Sequence, residues 1–264
     1  MIDFSKIRRL TSEHNTSRRF GSVEYIAIHY TAGFEDGPGK ARDNAEFYAQ
    51  TEIAASADFF VDRGGIVQYN PAPERRYCWA VGGTSKPDKS QGGGSLWNKA
   101  RNSNTVSIEL CSRYDEPVDL NNLPLPNDPH YKLAPETVQM GAELAAYLLA
   151  EFMLPADRLI RHFDVTGKLC PGVVGWNEAS GSVRKWQEFQ AAVWRIPHEP
   201  VERFNAVYQL PDWARPTITR LCDSGAIQGN GGTKDVNGRP ADMDLSMDMI
   251  RTLVIYDRDR KGVS

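Results

Sequence analysis

The chain has 264 residues, of which 41% are hydrophobic and 25% are charged, and its formal net charge is -3 at pH 7. These values are ordinary for a globular protein with one large domain, or with one domain and a small second module. The weak charge, without a long run of one sign, gives no basis for nucleic-acid binding. Four scattered cysteines are too few for a disulfide scaffold.

The chain shows no sequence signal for export or membrane insertion. Residues 1–10 contain no apolar core of a secretory signal, and no 18-residue apolar stretch predicts a membrane span. The sequence therefore predicts a protein that is made in the cytoplasm without a signal peptide.

The first half of the chain alternates strand-like and helix-like segments. Residues 23–30 predict a buried strand that carries His29 near its end, before a turn of small residues. Residues 40–50 predict a short helix, and two strand-like runs within 56–70 predict a hairpin around Asp-Arg-Gly-Gly. The Gly- and Ser-rich segment 84–104 is long for a plain connection, which favours a functional loop.

The second half continues the same pattern. Residues 104–111 alternate as a strand does, with apolar side chains on one face and Glu109 on the other. Helical periodicity predicts helices over 135–154 and 183–196, the second with Ser182 as N-cap. Strands with helices between them predict an α/β fold, a mixed central sheet flanked by helices, over residues 1–196.

The C-terminal part has a different character. Residues 197–210 are predicted to be a linker because Pro197 and Pro200 break secondary structure. Residues 211–264 predict a small helix–loop–helix module, which can bury little surface alone. We expect it to pack on the first domain, on a second copy of itself or on a ligand.

Three side chains form a candidate zinc site. His162 and Cys170 are eight residues apart, so the chain must loop back for both to reach one ion, and Gly167 eases that reversal. Such a pair alone is more often structural coincidence than a metal site. With His29 at the end of a strand, however, three ligands and a water would complete a catalytic zinc site. A cysteine ligand argues against magnesium or calcium.

Four sequence blocks carry a family resemblance. In chain order they are IAIHYTAG, SADFFVDRGGIVQY, NTVSIELC and RHFDVTGKLCPG. Their content and order resemble the type 2 N-acetylmuramoyl-L-alanine amidases, over roughly residues 20 to 196. That family shares its fold with the peptidoglycan recognition proteins and includes many phage endolysins.

The resemblance implies a zinc-dependent cut between N-acetylmuramic acid and L-alanine in peptidoglycan. It implies that His29, His162 and Cys170 hold Zn2+, that Glu109 is the general base and that Lys168 stabilises the oxyanion. From the residues alone, Glu109 could equally be an exposed strand carboxylate and Lys168 a solvated loop lysine. A non-catalytic peptidoglycan-binding protein and a host autolysin remain the alternatives to a phage or prophage endolysin that acts on the wall after release.

Several residues near these blocks have open roles. Asp58 stands where many relatives have His or Asn, and an acid there could alter how the stem peptide is held. Asp164 is either a partner that orients a ligand or a turn-former. Trp79 and Trp97 could contact glycan or peptide, but core packing is an equally good interpretation.

The C-terminal module also shows a resemblance, carried by Trp213-Ala214, Gly225-Ala226-Ile227-Gln228-Gly229 and Leu245-Ser246. This pattern resembles a single S-layer-homology-like repeat. Such repeats attach proteins to bacterial walls and usually come in threes. Wall binding and homo-oligomerisation through this module therefore both stay open.

Overall fold

The computed structural model describes residues 7–83, 86–196 and 203–261. The chain divides into two compact units, Met1–Pro197 and His198–Ser264. Among the described residues, none of the helices is both long enough and apolar enough to cross a lipid bilayer.

Within its described residues, the first unit contains short strands and four α-helices. Its strands are β1 (Arg8–Arg9), β2 (Thr16–Arg18), β3 (Tyr25–Tyr30), β4 (Phe59–Asp62), β5 (Gly65–Gln68), β6 (Arg76–Cys78), β7 (Thr105–Leu110), β8 (Arg113–Tyr114), β9 (Tyr131–Lys132) and β10 (Leu159–Arg161). Its helices are α1 (Lys40–Gln50), α2 (Pro135–Glu151), α3 (His162–Thr166) and α4 (Arg184–Arg195). The predicted mixed α/β fold is confirmed.

A six-stranded mixed sheet forms the centre of this unit, in the order β1-β5-β4-β7-β3-β10. Strands β4, β7, β3 and β10 are parallel, whereas β5 pairs antiparallel with β4. The predicted hairpin is this β4–β5 pair, in which Asp62 faces Gly65. The carboxyl ends of the four parallel strands meet at one edge, where open α/β sheets usually bind ligands.

Helices cover both faces of the sheet. On one face, the main core joins α2 and α4 to Ile28, Ile108 and Leu110. On the other, α1 packs against Phe60 and neighbouring side chains. Because side chains alternate along a strand, His29 and Glu109 lie on the face away from α2.

Two helix boundaries differ from the sequence predictions. Helix α2 ends at Glu151, three residues before the predicted end, and the chain turns away at Met153 with a φ of 52°. The N-cap of α4 is Val183, and the hydroxyl of Ser182 accepts from the N–H of Arg184 at 3.2 Å. The Ser182 prediction was therefore wrong by one position.

The second unit has its own small core. Strands β11 (Arg203–Phe204) and β12 (Leu245–Ser246) pair antiparallel, beside α5 (Arg215–Asp223) and α6 (Met247–Lys261). The predicted linker is wrong over residues 203–210, where buried Phe204, Val207 and Leu210 are part of this core; its residues 197–202 lie outside the described part of the chain. Proline content at 197–200 suggested a linker, but the apolar residues that follow are packed.

Candidate metal centre

Strand pairing brings the first candidate ligand beside the candidate base. In the parallel pair β3–β7, His29 lies opposite Glu109, and both side chains lie on the face away from α2. Burial of the whole strand fixes this register, because a one-residue slip would turn His29 into the apolar core.

The second and third ligands come from one short segment beside β3, which begins with helix α3 and continues as a loop. Strand β10 places Arg161 opposite Ile28, so His162, the next residue, enters the site beside His29. Helix α3 then ends at Thr166 and is capped by Gly167, whose φ of 80° suits glycine. The chain returns to the site at Cys170, whose carbonyl accepts from the N–H of Phe163 at 2.9 Å. The predicted reversal between His162 and Cys170 is present.

The three candidate ligand atoms converge. His29 Nδ1 lies 3.1 Å from His162 Nδ1 and 3.7 Å from Cys170 Sγ, and the three side chains each offer one ligand atom within 4.8 Å of the others. Tetrahedral zinc bonds predict separations of about 3.3 Å between two nitrogens and about 3.6 Å between nitrogen and sulfur. The two separations from His29 match these values, and the donor chemistry of two imidazoles and a thiol suits a zinc ion.

Burial keeps the imidazoles neutral and ready to bind a cation. It holds the pKa of His29 well below the usual 6.5, with further lowering from His162 and Lys168. It also lowers the pKa of His162 to about 3, with Lys168 contributing. Burial raises the pKa of the Cys170 thiol to about 12, Glu109 adds to this rise, and Lys168 opposes it. Zinc binding must therefore displace the thiol proton.

Glu109 lies at the same site without a protein partner for one oxygen. Its Oε1 is 4.0 Å from His29 Nδ1, its side chain is 15% exposed, and its buried Oε2 has no hydrogen-bond partner. Burial raises the pKa of Glu109 to about 7, and the charge of Lys168 opposes that rise. A carboxyl with this pKa and a free acceptor suits proton transfer near neutral pH.

Lys168 is exposed and follows α3 after Gly167. Its positive charge lowers the pKa of His29, His162, Cys170 and Glu109, so it acts on the same site electrostatically. A cation placed there can stabilise negative charge that develops during a reaction.

Two of the open residues have structural partners. The carboxylate of Asp164 accepts from the N–H and side chain of Arg161, which matches a turn-former rather than a partner of a ligand. Asp58 is 0% exposed, and its carboxylate accepts from Asn70 Nδ2 at 2.6 Å and from the N–H of Ser107 at 2.7 Å. Because it is enclosed, Asp58 cannot contact a bound stem peptide directly.

The predicted functional loop supports the ligand turn through its backbone. Within its described residues, the N–H groups of Asp88, Gly94 and Leu96 donate to carbonyls of residues 163–166 at 2.8–3.0 Å. A Cβ at Gly93 would lie 2.6 Å from the carbonyl oxygen of Phe163, so only glycine fits this approach.

The sequence reasoning missed two residues that border the ligands. The hydroxyl of Tyr30, next to His29, donates to the carbonyl of Pro126 in the loop between β8 and β9. Arg161 makes a network of charged contacts directly before His162. The sequence did offer one signal for Arg161, which is a charged residue directly after the apolar pair Leu159-Ile160.

The chain matches a known protein family over more than half of its length. Residues 19–173 match the family described as N-acetylmuramoyl-L-alanine amidase. The chain is 29% identical over 171 residues to N-acetylmuramoyl-L-alanine amidase CwlL of Bacillus licheniformis, a match covering 64% of this chain and 41% of that protein. It is 24% identical over 152 residues to N-acetylmuramoyl-L-alanine amidase BlyA of Bacillus subtilis (strain 168), covering 56% and 36%. The chain thus matches about two fifths of the length of these relatives.

Solved structures show weaker similarity. The structure of PlyL is 18% identical, with a TM-score of 0.47 and coverage of 71% of this chain and 96% of that one. The catalytic domain of XlyA is 20% identical, with a TM-score of 0.47 and coverage of 71% and 99%.

Proposed function

The chain belongs to the N-acetylmuramoyl-L-alanine amidase family, and on this premise we propose that it uses a zinc ion to hydrolyse peptidoglycan. The bond cut is the amide between the lactyl group of N-acetylmuramic acid and L-alanine of the stem peptide. The observation that carries the proposal is the buried Oε2 of Glu109, which has no hydrogen-bond partner, beside three convergent ligand side chains.

His29, His162 and Cys170 would hold the zinc ion, since one donor atom of each lies within 4.8 Å of the others and all three side chains are buried. Bound there, zinc supplies Lewis acidity, which polarises an amide carbonyl and lowers the pKa of water to roughly 7. The protein contributes neutral imidazoles and a buried thiol, so the ligand set carries only one negative charge once the thiol proton has left.

Glu109 acts as general base and then as general acid. Its carboxylate takes a proton from the attacking water, whose oxygen bonds to the lactyl carbonyl carbon, and Glu109 returns that proton to the leaving nitrogen as the C–N bond breaks. Lys168 stabilises the negative charge on the carbonyl oxygen during this step. The products are a lactyl carboxylate on the glycan and a stem peptide with a free L-alanine amine.

The competing function is peptidoglycan binding without cleavage. The retained thiol ligand and the free Glu109 oxygen favour the enzyme, because a binding protein has no need for a base at the metal. Purified Gram-positive walls distinguish the two: the enzyme generates new L-alanine amines that disappear on chelation and return with zinc. Wall binding without new amines would support the competing function.

We further propose that the protein is a phage or prophage endolysin that reaches the wall after release from the cytoplasm, and that its second unit binds the wall. The S-layer-homology-like pattern in residues 211–264 supports wall binding. A neighbouring holin gene would favour the endolysin, and a chromosomal setting without phage genes would favour a host autolysin. Retention of the isolated residues 198–264 on purified walls tests the binding role.

A further inference from the structure

Arg161 is a buried arginine that directly precedes the ligand His162. It is 6% exposed, and its guanidinium forms a two-pronged contact with Asp164 in the turn that carries His162. The distances are 3.1 Å from Nε to Asp164 Oδ2 and 2.6 Å from Nη2 to Asp164 Oδ1. This paired geometry fixes both position and orientation of the side chain.

The other side of the same guanidinium contacts the segment that follows Cys170. Nη1 of Arg161 donates to the carbonyl of Trp176 at 2.8 Å and to Glu178 Oε2 at 3.2 Å. The guanidinium carbon also lies 5.4 Å from the centroid of the Trp186 ring. One side chain therefore joins the two segments that supply two of the three ligands.

We propose that Arg161 is a positioning residue for the metal centre, holding the His162 turn against the Cys170 segment so that the ligand atoms converge before an ion binds. The inference rests on the proposed function only in requiring that a metal binds these ligands. Lysine can replace arginine here only in part, because a single ammonium cannot form the paired contact with Asp164 and also reach the Trp176 carbonyl.

A second buried arginine in the same unit provides a matched control. Arg19 is 5% exposed and donates to the carbonyls of Pro73, Ser103 and Thr105 at 2.6–3.0 Å. Thr105 starts β7, and Glu109 lies near the other end of that strand, so these contacts are remote from the ligands. Loss of Arg19 removes a comparable set of buried contacts without touching a ligand-bearing segment.

The experiment measures zinc affinity of the full chain by competition with a chromogenic chelator, for the native protein, Arg161→Met, Arg161→Lys and Arg19→Met. All are measured where circular dichroism shows a folded chain. We expect Arg161→Met to bind zinc about 10–100-fold more weakly, the usual cost of losing a residue that supports metal ligands. Arg161→Lys should fall between it and the native protein, and Arg19→Met should retain native affinity despite a lower melting temperature.

Cobalt substitution adds a readout that stability alone does not change. The visible spectrum of Co2+ reports the ligand geometry, so Arg161→Met should alter it and Arg19→Met should not. Equal zinc affinity and equal spectra for native and Arg161→Met would overturn the inference, as would equal weakening by Arg19→Met. Absence of zinc binding by the native chain would instead overturn the proposed function.

Milder variants keep the test decisive if Arg161→Met does not fold. Asp164→Asn removes the charge from the paired contact, whereas Glu178 is the more exposed partner, with its side chain 49% exposed against 18% for Asp164. Asp164→Asn should weaken zinc binding more than Glu178→Gln. The reverse order, or no effect of either, would contradict the proposal.

Discussion

Glu109 lies opposite His29 in the parallel pairing of β7 with β3, and its Oε1 is 4.0 Å from His29 Nδ1. The distance between base and ligand is thus set by a buried strand register rather than by a flexible loop. Side chains on strands are held in position more precisely than side chains on loops. The other two ligands come from the segment of α3 and the loop after it, whose placement depends on further contacts.

Zinc binding should release protons from the protein. In the metal-free chain the Cys170 thiol has a pKa of about 12 and is protonated at pH 7, whereas His162, with a pKa of about 3, is neutral. Calorimetric titration in buffers of different ionisation enthalpy should therefore detect about one proton from Cys170, and a further fraction from Glu109. Glu109→Gln should remove that fraction. Zinc binding without proton release would exclude Cys170 as a thiolate ligand.

Removal of the Lys168 charge should slow the reaction and should shift the pH at which kcat falls on the acid side. Lys168→Met loses the cation that stabilises the oxyanion, for which we expect a fall in kcat of about 10²–10³-fold. Because Lys168 opposes the rise in the pKa of Glu109, its loss should also shift the acid limb of the kcat profile to higher pH. Lys99→Met, at an exposed lysine before β7, should change neither quantity. An unshifted limb would mean that another group sets it.

The stability of the metal-free chain should fall as the pH decreases from 7 to 5. The folded-state pKa values of His29 and His162 lie below 6.5, so the stability that these neutral imidazoles contribute is present above that pH and lost below it. Glu109 acts in the opposite direction: its pKa is raised from 4.5 to about 7, so its contribution is complete below pH 4.5 and lost as pH rises through 7.

Glu109→Gln removes the contribution of Glu109 to the pH dependence of stability and leaves that of the two histidines. Its free energy of unfolding should therefore fall more steeply than that of the native chain between pH 6 and 5, by up to about 1.4 kcal/mol per pH unit. Urea titrations of both metal-free proteins at several pH values measure this difference. Parallel pH dependences would show that Glu109 is ionised in the folded, metal-free chain.

Gly172 should not tolerate a side chain. A Cβ there would overlap the carbonyl oxygen of Pro126, the same oxygen that accepts from the Tyr30 hydroxyl. We expect Gly172→Ala to lower the free energy of unfolding by about 1–3 kcal/mol, since the loop backbone must move. Gly37→Ala, at a glycine with nothing within 4 Å of the added carbon, is the control. Similar unfolding midpoints for native and Gly172→Ala would show that the loop moves at no cost.

Local patterns predicted much of the first unit. Alternation placed Glu109 on the face away from the apolar core, and Gly167 was consistent with the chain reversal between His162 and Cys170. The pairing of His29 with Glu109 across neighbouring strands could not be predicted in the same way. It depends on a parallel register between strands about 80 residues apart in sequence.

Long-range packing also explains the errors. Prolines at 197 and 200 predicted a linker to residue 210, but Phe204 pairs and packs with Leu245, far along the chain. Arg161 gave little local signal, since two of its partners, Trp176 and Glu178, lie 15 and 17 residues further along the chain. Sequence periodicity indicates which face is buried, but not which distant segments share a contact.

The most direct test of the central claim is mass spectrometry of the fragments released from purified Gram-positive walls by the native chain and by Glu109→Gln. Both proteins should contain zinc. The native chain should release stem peptides that begin at L-alanine, in a zinc-restored but not a chelated sample, and Glu109→Gln should release about 10²–10⁴-fold less. Native-like release by zinc-loaded Glu109→Gln would contradict the role of Glu109, and release of reducing sugars in place of stem peptides would contradict the amidase itself.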